Sequence, residues 1–302
     1  MAYCPVWQPD QALGVVAPAS APRVSEKLDR GLNALFADGY PYHWDSSQLS
    51  RREYLSGTDS ERASQFNQML DRTRYLIAIR GGYGCLRILD QINYAAARHS
   101  PGILIGYSDI TALQLSLFKY AGWRSISGPV VLEWSELNAG MKADVRRLLE
   151  GQLPDPFEGL ETVRAGQCTG TLLGGNLSMI VRLIGSRYLP DLRGRILFIE
   201  DVNEPPYRID GLLTQLNNAG ILAELGGLVV GAFTGNKSTE TKTDISVREA
   251  ILNCVSRYSW PIASGLNYGH FLPRKILPVG VTATLTVDPH RACLEILEPV
   301  TK

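Results

Sequence analysis

The chain has 302 residues, and its 30 Lys and Arg balance its 30 Asp and Glu. That length suits two domains or one large one with a full core. No basic stripe interleaved with aromatics is present, so the electrostatic footprint of a nucleic-acid binder is missing.

No apolar run approaches the ~20 residues that a bilayer-spanning helix needs. The stretch Met1 to Asp10 lacks the basic and apolar regions of a signal peptide. Cys4, Cys85, Cys168, Cys254 and Cys293 are scattered, with no Cys-x-x-Cys pair. These features predict a soluble cytoplasmic protein with free thiols.

In chain order, the first strand is expected at Leu13 to Ala17, broken by Pro18. From Ser25, apolar residues at Leu28, Leu32, Leu35 and Phe36 mark a helix that ends at Gly39. Tyr75 to Ile79 reads as a buried strand stopped by Gly81-Gly82, with a helix to follow over Arg87 to Tyr94. Gly102 to Tyr107 reads as another strand, and Ile110, Leu113, Leu117 and Phe118 as another helical stripe. Alternating strands and helices predict an α/β fold, with a doubly wound, mostly parallel N-terminal sheet. Ligands of such sheets sit beyond the carboxyl ends of the strands.

Residues 136–165 are turn-rich around Leu153-Pro154-Asp155-Pro156 and read as a linker between domains 1–135 and 166–302. The second domain is expected to mix β and α. Strand candidates are Thr169 to Leu173, Arg195 to Ile199, Leu228 to Phe233 and Ile262 to Leu266. Helices are expected over Asn176 to Ile184, Ile209 to Ala219 and Val247 to Tyr258. Thr282 to Val287 and Cys293 to Leu297 alternate in character and predict a terminal hairpin.

Ser108 stands between a strand and a helix, in Ile105-Gly106-Tyr107-Ser108-Asp109-Ile110-Thr111. It is either a helix N-cap or an exposed nucleophile beside free N–H donors. A nucleophilic serine needs a base, and the four histidines are His43, His99, His270 and His290. His270 is best placed, because it follows the strand at Ile262 to Leu266 through a flexible glycine. A base needs an acid, and Glu200 and Asp201 both stand at the end of the strand Arg195 to Ile199. Physical reasoning on the sequence leaves that choice open.

Oxyanion donors would be the backbone N–H of Asp109 and one from Gly81-Gly82. The spacing of Gly81-Gly82-Tyr83-Gly84 does not fit a nucleotide-binding loop, and a plain tight turn is the competing reading. No cluster has metal-ligand spacing, and no cofactor is expected.

Several stretches together resemble the LD-carboxypeptidase family of serine peptidases. In the first half they are Val16-Ala17-Pro18-Ala19-Ser20, Gly57-Thr58-Asp59-Ser60-Glu61-Arg62, Arg80-Gly81-Gly82-Tyr83-Gly84, Gly106 to Ala112 and Ser127-Gly128-Pro129. In the second half they are Gly174-Gly175-Asn176-Leu177, Glu200 to Asp210 and Tyr268-Gly269-His270. The resemblance implies a Ser-His-Glu triad of Ser108, His270 and Glu200, with oxyanion donors on the backbone of Gly82 and Asp109. It also implies a homodimer that removes the terminal D-alanine from peptidoglycan stem tetrapeptides during cytoplasmic recycling.

An exopeptidase of the kind the resemblance implies must recognise a terminal carboxylate, for which Arg80 and Arg208 are candidates, with Tyr83 and Asn176 as further candidate substrate contacts. Two other functions remain. One is a microcin-immunity hydrolase that cleaves aminoacyl-nucleotide conjugates. The other is a non-catalytic module that binds a small ligand. Neither nucleic acid nor membrane is an expected partner. One departure from an α/β-hydrolase elbow is plain: Ile110 stands where a GxSxG motif has its second glycine.

Overall fold

The computed structural model describes residues 2–235 and 246–302. They form two compact units. The first is Met1–Pro154 with Ile276–Gly280 and Pro299–Lys302, and the second is Asp155–Lys275 with Val281–Glu298.

Strands β1 (Leu13–Val16), β2 (Tyr42–His43), β3 (Tyr75–Ala78), β4 (Ile103–Gly106) and β5 (Arg124–Ser127) belong to the first unit. The second unit has β6 (Phe157–Arg164), β7 (Gly166–Asn176), β8 (Ile196–Val202), β9 (Gly227–Thr234) and β10 (Ile262–Ser264). The chain then returns to the first unit with β11 (Leu277–Val279), and to the second with β12 (Val281–Val287) and β13 (Ala292–Ile296).

The sheet of the first unit runs β11-β5-β4-β3-β1-β2 and is parallel except at β11. Every residue of β1, β3, β4 and β5 is buried. A parallel sheet covered on both faces produces that pattern. The strand order reverses between β1 and β3, so the carboxyl ends of these strands flank the switch point where ligands bind in such sheets. Helices α1 (Ser25–Ala37), α2 (Asp59–Leu70), α3 (Tyr94–His99), α4 (Thr111–Ala121) and α5 (Ala139–Leu149) complete the unit.

In the second unit the described strands close into a barrel, β10-β6-β13-β12-β7-β8-β9. Strands β7 to β10 are parallel neighbours, and the remaining pairs are antiparallel. The terminal hairpin β12–β13 is part of this barrel. Alternate residues of β12 are buried, as a strand with one covered face requires. Helices α6 (Leu177–Arg182), α7 (Pro206–Asn218), α8 (Ile221–Glu224) and α9 (Val247–Val255) belong to this unit. The α/β architecture with a second, mixed domain is therefore the observed one.

Three expectations are corrected. Residues 136–165 hold α5 and β6 as well as the connection. Asn138 caps α5 by accepting from the Met141 N–H, and Met141, Val145, Leu148 and Leu149 form its buried stripe. The unit boundary accordingly falls at Pro154, and the last residues rejoin the first unit. The helix expected over Arg87 to Tyr94 is instead a 3-10 turn at Cys85–Ile88 followed by α3. Asn93 accepts from the Ala96 N–H, so a new helix starts after it. Strand β8 continues to Val202, which puts Glu200 and Asp201 inside the strand rather than beyond its end.

Candidate active site

The first unit holds Ser108. β4 leads through Tyr107 into a 3-10 turn, Ser108–Ile110, that runs directly into α4. The φ of Ser108 is +65°. A left-handed conformation is unfavourable for a residue with a Cβ and is concentrated at functional sites. The N-cap positions of the turn and of α4 are Tyr107 and Ile110, so Ser108 caps neither. The half-buried serine stands just beyond the carboxyl end of a central strand.

Gly81 and Gly82 follow β3, the neighbour of β4. A Cβ on Gly81 would lie 2.9 Å from the Cβ of Ser108, and one on Gly82 would lie 2.6 Å from the Ser20 Oγ. The φ of Gly82 is +111°. These glycines thus allow a close backbone approach to two serines, which a plain tight turn would not require.

The loop they begin is fastened by side chains from elsewhere in the unit. The Tyr83 N–H donates to the Ser20 Oγ at 3.1 Å, and the Cys85 N–H donates to Asp109 Oδ2 at 2.9 Å. Buried Arg62 donates to the carbonyls of Gly84, at 3.0 Å, and of Pro18, and it pairs with Asp59. Burial, with the Asp109 carboxylate beside it, pushes the Cys85 thiol well above its ordinary pKa.

Arg80 is turned to this framework. Its guanidinium donates to the carbonyl of Gly81 at 3.2 Å and to that of Ala21 at 3.1 Å. Tyr83 is 41% exposed, and its ring meets Tyr54 edge-on with centroids 5.6 Å apart.

The second unit holds the other expected residues. Glu200 is wholly buried, and its Oε2 lies 2.7 Å from His270 Nδ1. With the proton on Nδ1 donated to the carboxylate, Nε2 keeps its lone pair and can act as a base. The pairing of β8 with β9 shifts register between Ile199 and Asp201, so Glu200 sits at a bulge. Bulges re-aim side chains next to functional sites. His270 arrives along β9: the Leu266 N–H donates to the Val230 carbonyl, and the Ala232 N–H to the Tyr268 carbonyl. Gly231 allows that approach, because its Cβ would stand 2.7 Å from the Tyr268 carbonyl.

Asp201 is committed elsewhere. Its Oδ2 accepts from the Ser178 N–H at 2.9 Å and from the Ser178 Oγ at 2.7 Å, at the start of α6. Its Oδ1 accepts from Asn176 Nδ2 at 2.9 Å and from the Val202 N–H at 2.8 Å. Of the two acids, Glu200 is the one that meets the histidine.

Asn176 pairs in register with Glu200 and also donates to Glu200 Oε1 at 3.3 Å. It caps α6 as well, by accepting from the Met179 N–H at 3.2 Å. Arg208 lies on α7 with its side chain 62% exposed, 3.6 Å from Glu204. A solvated pair of that kind contributes little. Among the described residues, no group of three or more His, Cys, Asp or Glu is placed to hold a metal ion, and no helix is long and apolar enough to cross a membrane.

Sequence reasoning assigned no role to Ser20, Arg62 or the side chain of Asp109. Ser20 and Arg62 fall within resemblance stretches, but nothing in the spacing says that they reach the loop after β3.

Comparison with known proteins gives concordant likenesses. Residues 13–128 match the N-terminal domain of LD-carboxypeptidases, and residues 169–285 match their C-terminal domain. A murein tetrapeptide carboxypeptidase of Pseudomonas aeruginosa is 32% identical over 92% of this chain and 94% of its own. The crystal structure of a muramoyltetrapeptide carboxypeptidase from Oxalobacter formigenes has a TM-score of 0.86 at 29% identity, covering 95% of this chain and all of the other. The microcin C7 self-immunity protein reaches a TM-score of 0.90 over the full length of both chains at 20% identity, which is a likeness of fold.

Proposed function

The chain belongs to the LD-carboxypeptidase family, and from that premise we propose that it is a serine LD-carboxypeptidase acting on peptidoglycan stem tetrapeptides. Its catalytic residues would be Ser108, His270 and Glu200. The observation that carries this reading is the 2.7 Å bond from His270 to the buried carboxylate of Glu200. The left-handed Ser108, at a strand end in the other unit, supports it.

In this mechanism His270 Nε2 takes the proton of the Ser108 hydroxyl as Oγ attacks the carbonyl between the L-centre of the third residue and the terminal D-alanine. Glu200 holds the imidazole and stabilises its charged form. The N–H groups of Gly82 and Asp109 receive the oxyanion, a contribution of about 3 kcal/mol for one such donor. The imidazolium returns its proton to the leaving D-alanine amine. Water, deprotonated by the same histidine, then hydrolyses the ester and restores Ser108.

Free thiols at Cys4, Cys85, Cys168, Cys254 and Cys293 favour a reducing compartment. They support a place for the enzyme in cytoplasmic recycling of the cell wall. The family resemblance supports a homodimer. Arg80, Tyr83, Asn176 and Arg208 were candidate substrate contacts. Of these, Tyr83 has the exposed ring, whereas the contacts of Asn176 favour a part in orienting Glu200.

The deciding assay is loss of one alanine from the tetrapeptide, followed by mass spectrometry, with an aminoacyl-nucleotide conjugate in parallel. Turnover of the tetrapeptide that disappears in Ser108→Ala is the expected result. Turnover of the conjugate alone would replace this reading with the immunity-type hydrolase. Binding of the peptide without turnover of either would point to a non-catalytic module.

A further inference from the structure

The loop from Gly81 to Cys85 is gripped through its backbone at three successive residues. The Tyr83 N–H is held by Ser20, the Gly84 carbonyl by Arg62 and the Cys85 N–H by Asp109. Ser20 stands between β1 and α1, Arg62 on α2, and Asp109 in the 3-10 turn that begins with Ser108. All three gripping side chains are buried. A loop usually satisfies its backbone with water or its own residues. Here three buried side chains from outside the loop do so.

The glycines leave the loop little room to shift. A Cβ on Gly82 would meet Ser20, and one on Gly84 would lie 2.8 Å from the Arg62 guanidinium. Asp109 grips in two senses. Its backbone follows the serine, and its carboxylate holds Cys85, so the serine turn and the glycine loop are tied directly.

Resting on the reading of Ser108 as nucleophile and of the Gly82 N–H as oxyanion donor, we infer that the side chains of Ser20 and Asp109 are positioning residues that aim the Gly82 N–H before substrate arrives. Donors fixed in advance stabilise developing charge without reorganising during the reaction. Neither side chain needs to touch substrate. The interaction requires only an acceptor at each point, a hydroxyl oxygen at Ser20 and a carboxyl or amide oxygen at Asp109. Asparagine at position 109 therefore preserves the grip, and leucine removes it.

The test uses the full chain and the variants Ser20→Ala, Asp109→Asn and Asp109→Leu. Three quantities are read: kcat and KM on the tetrapeptide, the rate of Ser108 labelling by a fluorophosphonate, and thermal unfolding. The phosphoryl oxygen of the probe occupies the oxyanion position, so labelling reports the aim of the donor. Ser20→Ala and Asp109→Leu should lower kcat and the labelling rate together by about 10- to 100-fold, the scale of a small misplacement at a reacting centre. KM should change much less than kcat, since the oxyanion donor acts chiefly in the transition state. Asp109→Asn should recover most of what Asp109→Leu loses in both rates, because its amide oxygen still accepts.

Unchanged rates in Ser20→Ala and Asp109→Leu would overturn the inference. So would an effect confined to KM, or an Asp109→Asn variant as impaired as Asp109→Leu. If Asp109→Leu does not fold, Ser20→Ala decides by the same readouts. Failure of the underlying reading has a different signature. Parent protein that is not labelled at Ser108, or turnover that survives Ser108→Ala, overturns the nucleophile assignment and this inference with it.

Discussion

At Ser108 the backbone is left-handed, with a φ of +65°. Alanine tolerates that conformation no better than serine, so Ser108→Ala removes the hydroxyl and leaves the backbone strain as it was. Its tetrapeptide turnover should fall at least about a thousandfold, with thermal unfolding unchanged. Ser108→Gly should be equally inactive yet gain up to about 1 kcal/mol of stability in denaturant unfolding, as strain relief outweighs the added freedom of the unfolded chain. The two neighbouring acids should separate just as cleanly. Glu200→Gln should lower kcat by about a thousandfold or more while the protein stays folded. Asp201→Ala should instead cost about 1–3 kcal/mol of stability, because it leaves the Ser178 hydroxyl and N–H without their acceptor. An Asp201→Ala variant that is folded but as inactive as Glu200→Gln would reverse the assignment.

At the scale of elements, close backbone approach sets the placement of Glu200. Gly174 in β7 has a φ of +151°, and a Cβ there would lie 2.0 Å from the Phe198 carbonyl in β8. Gly174→Ala should therefore push β7 from β8, disturb the pairing of Asn176 with Glu200, and cost about 3 kcal/mol or more in denaturant unfolding. Strands β1, β3, β4 and β9 were legible because each is a short apolar run bounded by Gly or Pro. The helix at Ala139–Leu149 was not, because its stripe of Met141, Val145, Leu148 and Leu149 is short and lies beside turn-rich sequence. The reach of β8 to Val202 is hidden in the sequence for a different reason. Charged residues at positions 200 and 201 look like loop until partners for them are visible.

For the whole molecule, buried thiols contribute to an alkaline limit. Burial pushes Cys4 up from 9.0 to about 12 and Cys168 to about 11. Above pH 9 the unfolded chain loses these protons while the folded chain keeps them. The stability they contribute is fully present below that pH and is lost as pH rises toward 11 to 12. Equilibrium unfolding from pH 8 to about pH 11 should show that decline, and Cys4→Ala should reduce its slope. The acid limb has the opposite sign. Hydrogen bonds from Thr58 hold Glu61 below its ordinary value, so its contribution is lost as pH falls through that depressed value. Light scattering should give twice the chain mass if the expected homodimer forms, and a monomer across the assay range would remove it from the reading.

The sequence by itself determined the alternation of strands and helices, the serine at a strand end and the one well-placed histidine. These are local matters, set by hydrophobic period and by glycine and proline punctuation. Resemblance motifs added the family and the choice of Glu200. Only the tertiary structure showed how the two acids differ: Asp201 is held by Ser178 and Asn176, and Glu200 sits at a bulge facing His270. Only it brought Ser20, Arg62 and Asp109 onto one glycine loop from three distant places in the chain. Contacts of that kind depend on strand order and register, which no local pattern encodes.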